Sequence, residues 1–370
     1  MFNSVSATVG NRLLGAADSL YNSMISIRAK YFFGGWGIAE EIRKYNLRSQ
    51  VDIESLQLSP ARQRKGYLTQ DGVFTSPATA DMKLHDSCST GHFRLVLPPE
   101  TEMSAGKQIP LAVLLGSTGD EGYAWREKHV AVPLAVQSGV ASLILEYPFY
   151  GQRRPPWQSR SYLSRVSDLM QMTYTSVEEV IALLRWAEGS GRFGPFVIGG
   201  LSFGGTCAGI CAKTIASTEN ILKDKTMVVS HLGSCSGGPV YTQGCLARRV
   251  DWNALASEID MEIQGAMDYM NNLLDPYRNT ELILERGEKE KAVPSLPFIQ
   301  LMAVNDKFVP QSSSMRLHHL TNSELRVLTG GHVYQLSLGF HHFRKAISDA
   351  ITTMMVRNES TGNPVSVKIK

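Results

Sequence analysis

The run Gly200-Leu201-Ser202-Phe203-Gly204-Gly205 sets a serine between glycines, directly after an apolar run at 196–199 and ahead of a helix-like stretch at 207–215. A strand can turn into a helix around a single residue only where the residues two places to either side lack Cβ atoms, and the turn lifts that residue's hydroxyl clear of the sheet edge. It also aims the Phe203 amide at the space beyond the helix N-terminus, where it can stabilise an oxyanion. A serine hydroxyl attacks poorly until a base takes its proton. Asp306, at the end of the apolar run 298–304, and His332, in Gly330-Gly331-His332 after the run 325–328, follow Ser202 in the order nucleophile, acid, base. Parallel strands gather their carboxyl ends on one edge, which brings the three together. A second oxyanion donor is expected from the loop after the run 111–115, at the amide of Thr118 with Gly119 behind it. Asp275 precedes Pro276 and reads as a turn acid, while His318, His319, His341 and His342 fall in helix-like stretches.

The elements needed to position these residues follow from the same sequence. With 370 residues, 43% hydrophobic and 19% charged, the chain can bury a large core. Runs at 92–97, 111–115, 141–145, 196–199, 227–229, 298–304 and 325–328 alternate with amphipathic stretches such as 177–188, where Glu178, Glu179 and Arg185 occupy polar positions. Residues 67–76 predict a hairpin turning at Asp71-Gly72, and 334–356 a closing helix. This alternation predicts an α/β fold, a mostly parallel sheet of about eight strands with helices on both faces. Residues 237–296 interrupt it as a helical cap, with apolar residues from Trp252 through Leu255, Met267 and Met270 to Leu274 at helical spacing. The expected organisation is an N-terminal amphipathic helical segment (1–66), a core in two parts (67–236 and 297–357) around the cap, and a flexible tail (358–370).

These motifs resemble the α/β-hydrolase superfamily. Taken with Phe33-Gly34-Gly35-Trp36-Gly37, Thr118-Gly119-Asp120, Trp125-Arg126, Glu146-Tyr147-Pro148-Phe149-Tyr150-Gly151 and Ser167-Asp168, they are similar to its eighteenth abhydrolase-domain-containing family over about residues 20–357. The resemblance implies an α/β-hydrolase fold and serine-hydrolase chemistry.

Two readings follow. In the first, Ser202, His332 and Asp306 cleave an acyl ester through an acyl-enzyme, and the apolar cap points to a lipid or phospholipid substrate. Arg153 and Arg154, just beyond the run 141–145, would then receive an anionic head group. In the second, the fold serves binding alone. Neither requires a cofactor, and the five cysteines lack metal-ligand spacing. A net charge of +3 argues against nucleic acid as a partner. Cysteines outside CxxC pairs favour an intracellular, reducing compartment. The stretch 13–27, apolar on one face and with Asp18 as its only acid, fits a mitochondrial presequence, a peripheral membrane contact or a helix docked on the core of a cytoplasmic protein. If it acts as a membrane tether, removing residues 1–30 spares turnover of a water-soluble ester.

Overall fold

The structure is a computed structural model that describes residue 18 and residues 30–78, 81–99, 107–218, 221–278 and 295–360. Ten strands form one sheet: β1 (Leu56–Leu58), β2 (Arg62–Arg64), β3 (Tyr67–Thr75), β4 (Thr90–Leu97), β5 (Ile109–Leu115), β6 (Ala141–Glu146), β7 (Phe193–Leu201), β8 (Thr226–His231), β9 (Phe298–Ala303) and β10 (Glu324–Leu328). Their order is β1-β3-β4-β6-β5-β7-β8-β9-β10, with β2 also paired to β3. From β6 through β10 every pairing is parallel, and β1 to β4 join antiparallel. The apolar runs of β5 to β9 are buried at every residue, as strands covered on both faces must be.

Helices α1 (Val166–Gly189) and α2 (Phe203–Ala216) cover one face, packing Val177, Ile181, Cys207 and Ile210 into the larger core cluster. The closing helix and the helix Val132–Ser138 cover the other with Ala346, Ile347 and Leu134. Several boundaries differ from those the sequence predicts. The sheet begins at Leu56 rather than at residue 67. Asp71-Gly72 makes no turn: β3 runs straight through it, Asp71 pairs with Arg94 at 2.6 Å, and the missing side chain of Gly72 makes room for the Phe93 ring opposite. The β2–β3 hairpin instead turns at Gly66, where φ is +84°.

The cap stretch divides into Trp252–Glu258 and α3 (Ile263–Leu273), because Asp260 takes a left-handed φ of +52° between them. Its apolar stripe mostly fills the core, Leu255 and Met270 being fully buried. After β9 the chain forms α4 (Gln311–Thr321). The closing stretch also divides, into α5 (His332–Ser337) and α6 (Phe340–Ser360), so helix continues past residue 357, where the tail was expected to begin. Residues 361–370 lie outside the described residues, as does the expected 13–27 helix apart from Asp18. Among the described residues no helix is long and apolar enough to cross a membrane.

The Phe33–Gly37 motif is a strap over the cap. Gly34 N–H donates to Ser164 O at 2.8 Å, and the buried Trp36 indole donates to Leu255 O at 2.9 Å while its ring meets Tyr269 edge-on. Truncating so large a buried side chain removes its packing and leaves the Leu255 carbonyl without its donor. Trp36→Ala is expected to lower unfolding free energy by about 3–5 kcal/mol, measured by urea denaturation.

Candidate active site

Ser202 occupies the turn between β7 and α2 with φ +54° and ψ −111°, a conformation costly for any side-chain-bearing residue. The surroundings enforce it. A Cβ on Gly200 would lie 2.0 Å from Gly204 O, and one on Gly204 would lie 2.5 Å from Leu115 O, so strand and helix approach only because both are glycine. Two backbone bonds hold the turn: Ser202 N–H donates to His231 O at 2.7 Å, and Gly204 N–H to Gly116 O at 2.9 Å.

Asp306 lies in the turn after β9, and His332 opens α5 after β10. The parallel pairing of β9 and β10 delivers both to the edge that carries Ser202, and Asn305 N–H donates to Gly330 O at 3.1 Å to join the two turns. His332 Nε2 lies 2.8 Å from Ser202 Oγ, and its Nδ1 lies 2.7 Å from Asp306 Oδ2. Asp306 Oδ1 accepts the amides of Phe308 and Val309, both at 2.8 Å. A carboxylate so engaged only accepts, so His332 Nδ1 donates to it and Nε2 is left to accept from the serine hydroxyl. His332 is 5% exposed. Burial opposes its protonation, but the charge and hydrogen bond of Asp306, helped by Asp18, outweigh that and leave its pKa above the ordinary value.

The loop after β5 is held from below. Arg126, fully buried, donates to Leu114 O and Leu145 O at 2.9 and 2.6 Å and meets Asp120 at 2.8 Å. Burial raises the Asp120 pKa, and the Arg126 guanidinium opposes the rise. The Glu146–Gly151 motif buttresses the same loop: Tyr147 donates its hydroxyl to Gly116 O at 3.0 Å, and Glu146 accepts the Gly122 amide at 3.0 Å. Thr118 borders the cavity beside Ser202 and Phe203. Among the described residues neither the Phe203 nor the Thr118 amide meets a protein acceptor. Gly119 is different. Its amide donates to Tyr150 Oη at 3.2 Å, so the expectation that it backs Thr118 as an oxyanion donor is corrected.

The cavity is lined mainly by apolar side chains, among them Leu169, Met170, Ile210, Val240 and Leu274. Leu274 alone of the predicted cap stripe reaches it.

The anion-binding role expected for Arg153 is also corrected. Its guanidinium is fully buried, forked onto Glu179 at 2.6 and 2.8 Å, and donates to Cys88 O and Glu146 O. Glu178, likewise expected on a polar face, is buried against Arg48 at 2.6 Å. Arg154 lies partly exposed, 3.3 Å from Glu121. Asp275 pairs with Arg316 at 2.7 Å and accepts the Tyr277 amide, as a turn acid does. The buried Arg126 went unrecognised, although its place in the Trp125-Arg126 motif was a signal. Asp18 was visible only as a lone acid in an acid-poor stretch.

A mostly parallel sheet with helices on both faces, a serine turn after a central strand and the acid and histidine after two later ones, defines an α/β-hydrolase. Within that class, the family model for alpha/beta hydrolase domain containing 18 matches residues 29–295 and 289–353, and the chain belongs to this family of hydrolases. Among solved structures it is similar to acetyl xylan esterase 1 from Thermoanaerobacterium sp. JW/SL YS485 (12% identity, 85% of this chain and 93% of that one, TM-score 0.52). It is also similar to the acetyl xylan esterase from Paenibacillus sp. R4 (14% identity, 89% and 96%, TM-score 0.50). At such identities the likeness is one of fold.

Glu179→Ala would leave the Arg153 guanidinium buried without its carboxylate, and a loss of about 3–5 kcal/mol in unfolding free energy is expected. Urea denaturation measures it. A change confined to the KM of a phosphorylated substrate, at unaltered stability, would restore the head-group role.

Proposed function

We propose that this protein is a serine hydrolase that cleaves acyl esters with an apolar acyl group, of the lipid or phospholipid class, through an acyl-enzyme. The observation that carries the reading is the continuous chain Ser202 Oγ, His332 Nε2, His332 Nδ1, Asp306 Oδ2, with contacts of 2.8 and 2.7 Å, whose serine lines an apolar cavity.

In this mechanism His332 Nε2 takes the Ser202 proton as Oγ bonds to the ester carbonyl carbon. Negative charge collects on the carbonyl oxygen, where the free amides of Phe203 and Thr118 receive it. The imidazolium returns its proton to the departing alcohol, leaving the acyl group on Ser202. A water molecule then repeats the sequence with the same base, releasing the acid and the free serine. Asp306 holds the ring in the tautomer that accepts at Nε2 and stabilises the imidazolium. The acyl chain lies among Leu169, Met170 and Ile210, where transfer from water to apolar surface favours binding by about 0.8 kcal/mol per methylene.

Ser202→Ala is expected to abolish labelling by a fluorophosphonate probe and to reduce kcat on a p-nitrophenyl ester by roughly 10⁶-fold. Asp306→Asn should reduce it by roughly 10⁴-fold. Because His332 acts as a base and its pKa is raised, kcat/KM should fall as pH drops through a value above the ordinary histidine range. Removing the Asp306 charge should move that acid limb to lower pH. Full activity in Ser202→Ala would remove Ser202 as the nucleophile, and a wild-type protein that neither takes the probe nor turns over the ester would leave the binding-only reading.

A further inference from the structure

Asp18 is fully buried. Its Oδ2 accepts the amides of Lys307 at 3.0 Å and His332 at 2.9 Å, and its Oδ1 accepts the amide of Val333 at 2.8 Å. Lys307 follows the acid Asp306, while His332 and Val333 are the first residues of α5. One carboxylate therefore ties the acid's turn to the base's helix.

The local sequence offers nothing else for these amides. The opening N–H groups of a helix have no intrahelical acceptor, and the residue ahead of His332 is Gly331, which has no side chain to cap them. Gly331 instead makes space. A Cβ there would lie 2.8 Å from both Asp18 oxygens, so Gly331 is what allows a distant carboxylate to reach the amides of His332 and Val333. Negative charge at a helix N-terminus is favourable in its own right. The carboxylate does not touch the imidazole nitrogens, which are engaged by Ser202 and Asp306.

We propose that Asp18 is a positioning residue of the active site, holding the backbones of the Asp306 turn and of α5 so that His332 stays aligned between Ser202 and Asp306. This rests on the serine-hydrolase reading above. Misplacing a general base by an ångström costs about 10²-fold in rate, and His332 keeps its place through backbone that Asp18 fixes at three points.

The test uses the full chain carrying Asp18→Ala or Asp18→Asn, assayed with a water-soluble p-nitrophenyl ester, by fluorophosphonate labelling rate and by thermal melting. Asp18→Ala is expected to reduce kcat and labelling rate by about 10–100-fold, with KM within about twofold. Asp18→Asn, which keeps one acceptor oxygen but turns an NH₂ towards the remaining amide donors, should fall between it and wild type. The charged and titratable groups around His332 are Asp306, Asp18, Lys307, Cys245 and His231, with His341 and His342 beyond. His231 is held neutral by burial, its pKa pushed down to about 3. Loss of the Asp18 charge should therefore move the acid limb of kcat/KM to lower pH in both variants.

Deleting residues 1–30 should depress turnover of the same water-soluble ester, whereas a mere membrane tether would spare it. Wild-type kcat, labelling rate and acid limb in Asp18→Asn would overturn the proposal, whether or not Asp18→Ala folds. So would a lower melting temperature with kcat unchanged. Failure of the underlying reading shows separately, as a wild-type protein that the probe does not label or a Ser202→Ala variant that turns over normally.

Discussion

A side chain at φ +54°, where strand β7 and helix α2 all but touch, is the constraint around which the molecule is arranged. Strain of this kind persists only when the surroundings leave no alternative. Here the restraint comes from Gly200 and Gly204, from the His231 carbonyl that receives the Ser202 amide, and from the Gly116 carbonyl that receives the Gly204 amide. All but Gly204, in the first turn of α2, belong to a strand end or to the loop that follows one. The turn is therefore as rigid as the sheet, and the buried helices on either face stabilise it indirectly by fixing the strands.

Much of this was legible in the sequence for a definite reason. Strands β5 to β9 are buried on both faces, so their composition is nearly all apolar. Ser202 and Asp306 follow the ends of such strands and His332 follows the less buried β10, and chain order alone predicts their meeting. The antiparallel margin was less legible. At Asp71-Gly72 a dipeptide typical of turns lies within a strand, because cross-strand contacts with Arg94 and Phe93 outweigh local preference.

Charge was the least legible property. Arg153 follows the sheet edge where an anion would be received, yet its partner Glu179 lies on α1, at a position that the helical pattern assigns to solvent. Glu178 beside it is buried with Arg48. A polar residue in an amphipathic pattern reads as exposed unless its counter-charge is known, and the counter-charges of both glutamates come from loops remote in sequence. Asp18 is the extreme case. Its contacts lie on segments whose only local trace is a glycine before a histidine, and glycine there reads first as a turn residue.

The span of that contact has a consequence for how the protein comes into being. Asp18 meets His332 at a separation of 314 positions in sequence, and Trp36 meets Leu255 at a separation of 219. Contacts so distant raise contact order, since the entropy of closing a long loop is lost before the contact rewards it. During synthesis the first part of the chain emerges long before its partners exist. The strap must wait for the cap, and Asp18 for the last strand and the helix after it. Residues early in this sequence thus reach their native places among the last, and the contact of Asp18 with α5 forms only after β10 is in place.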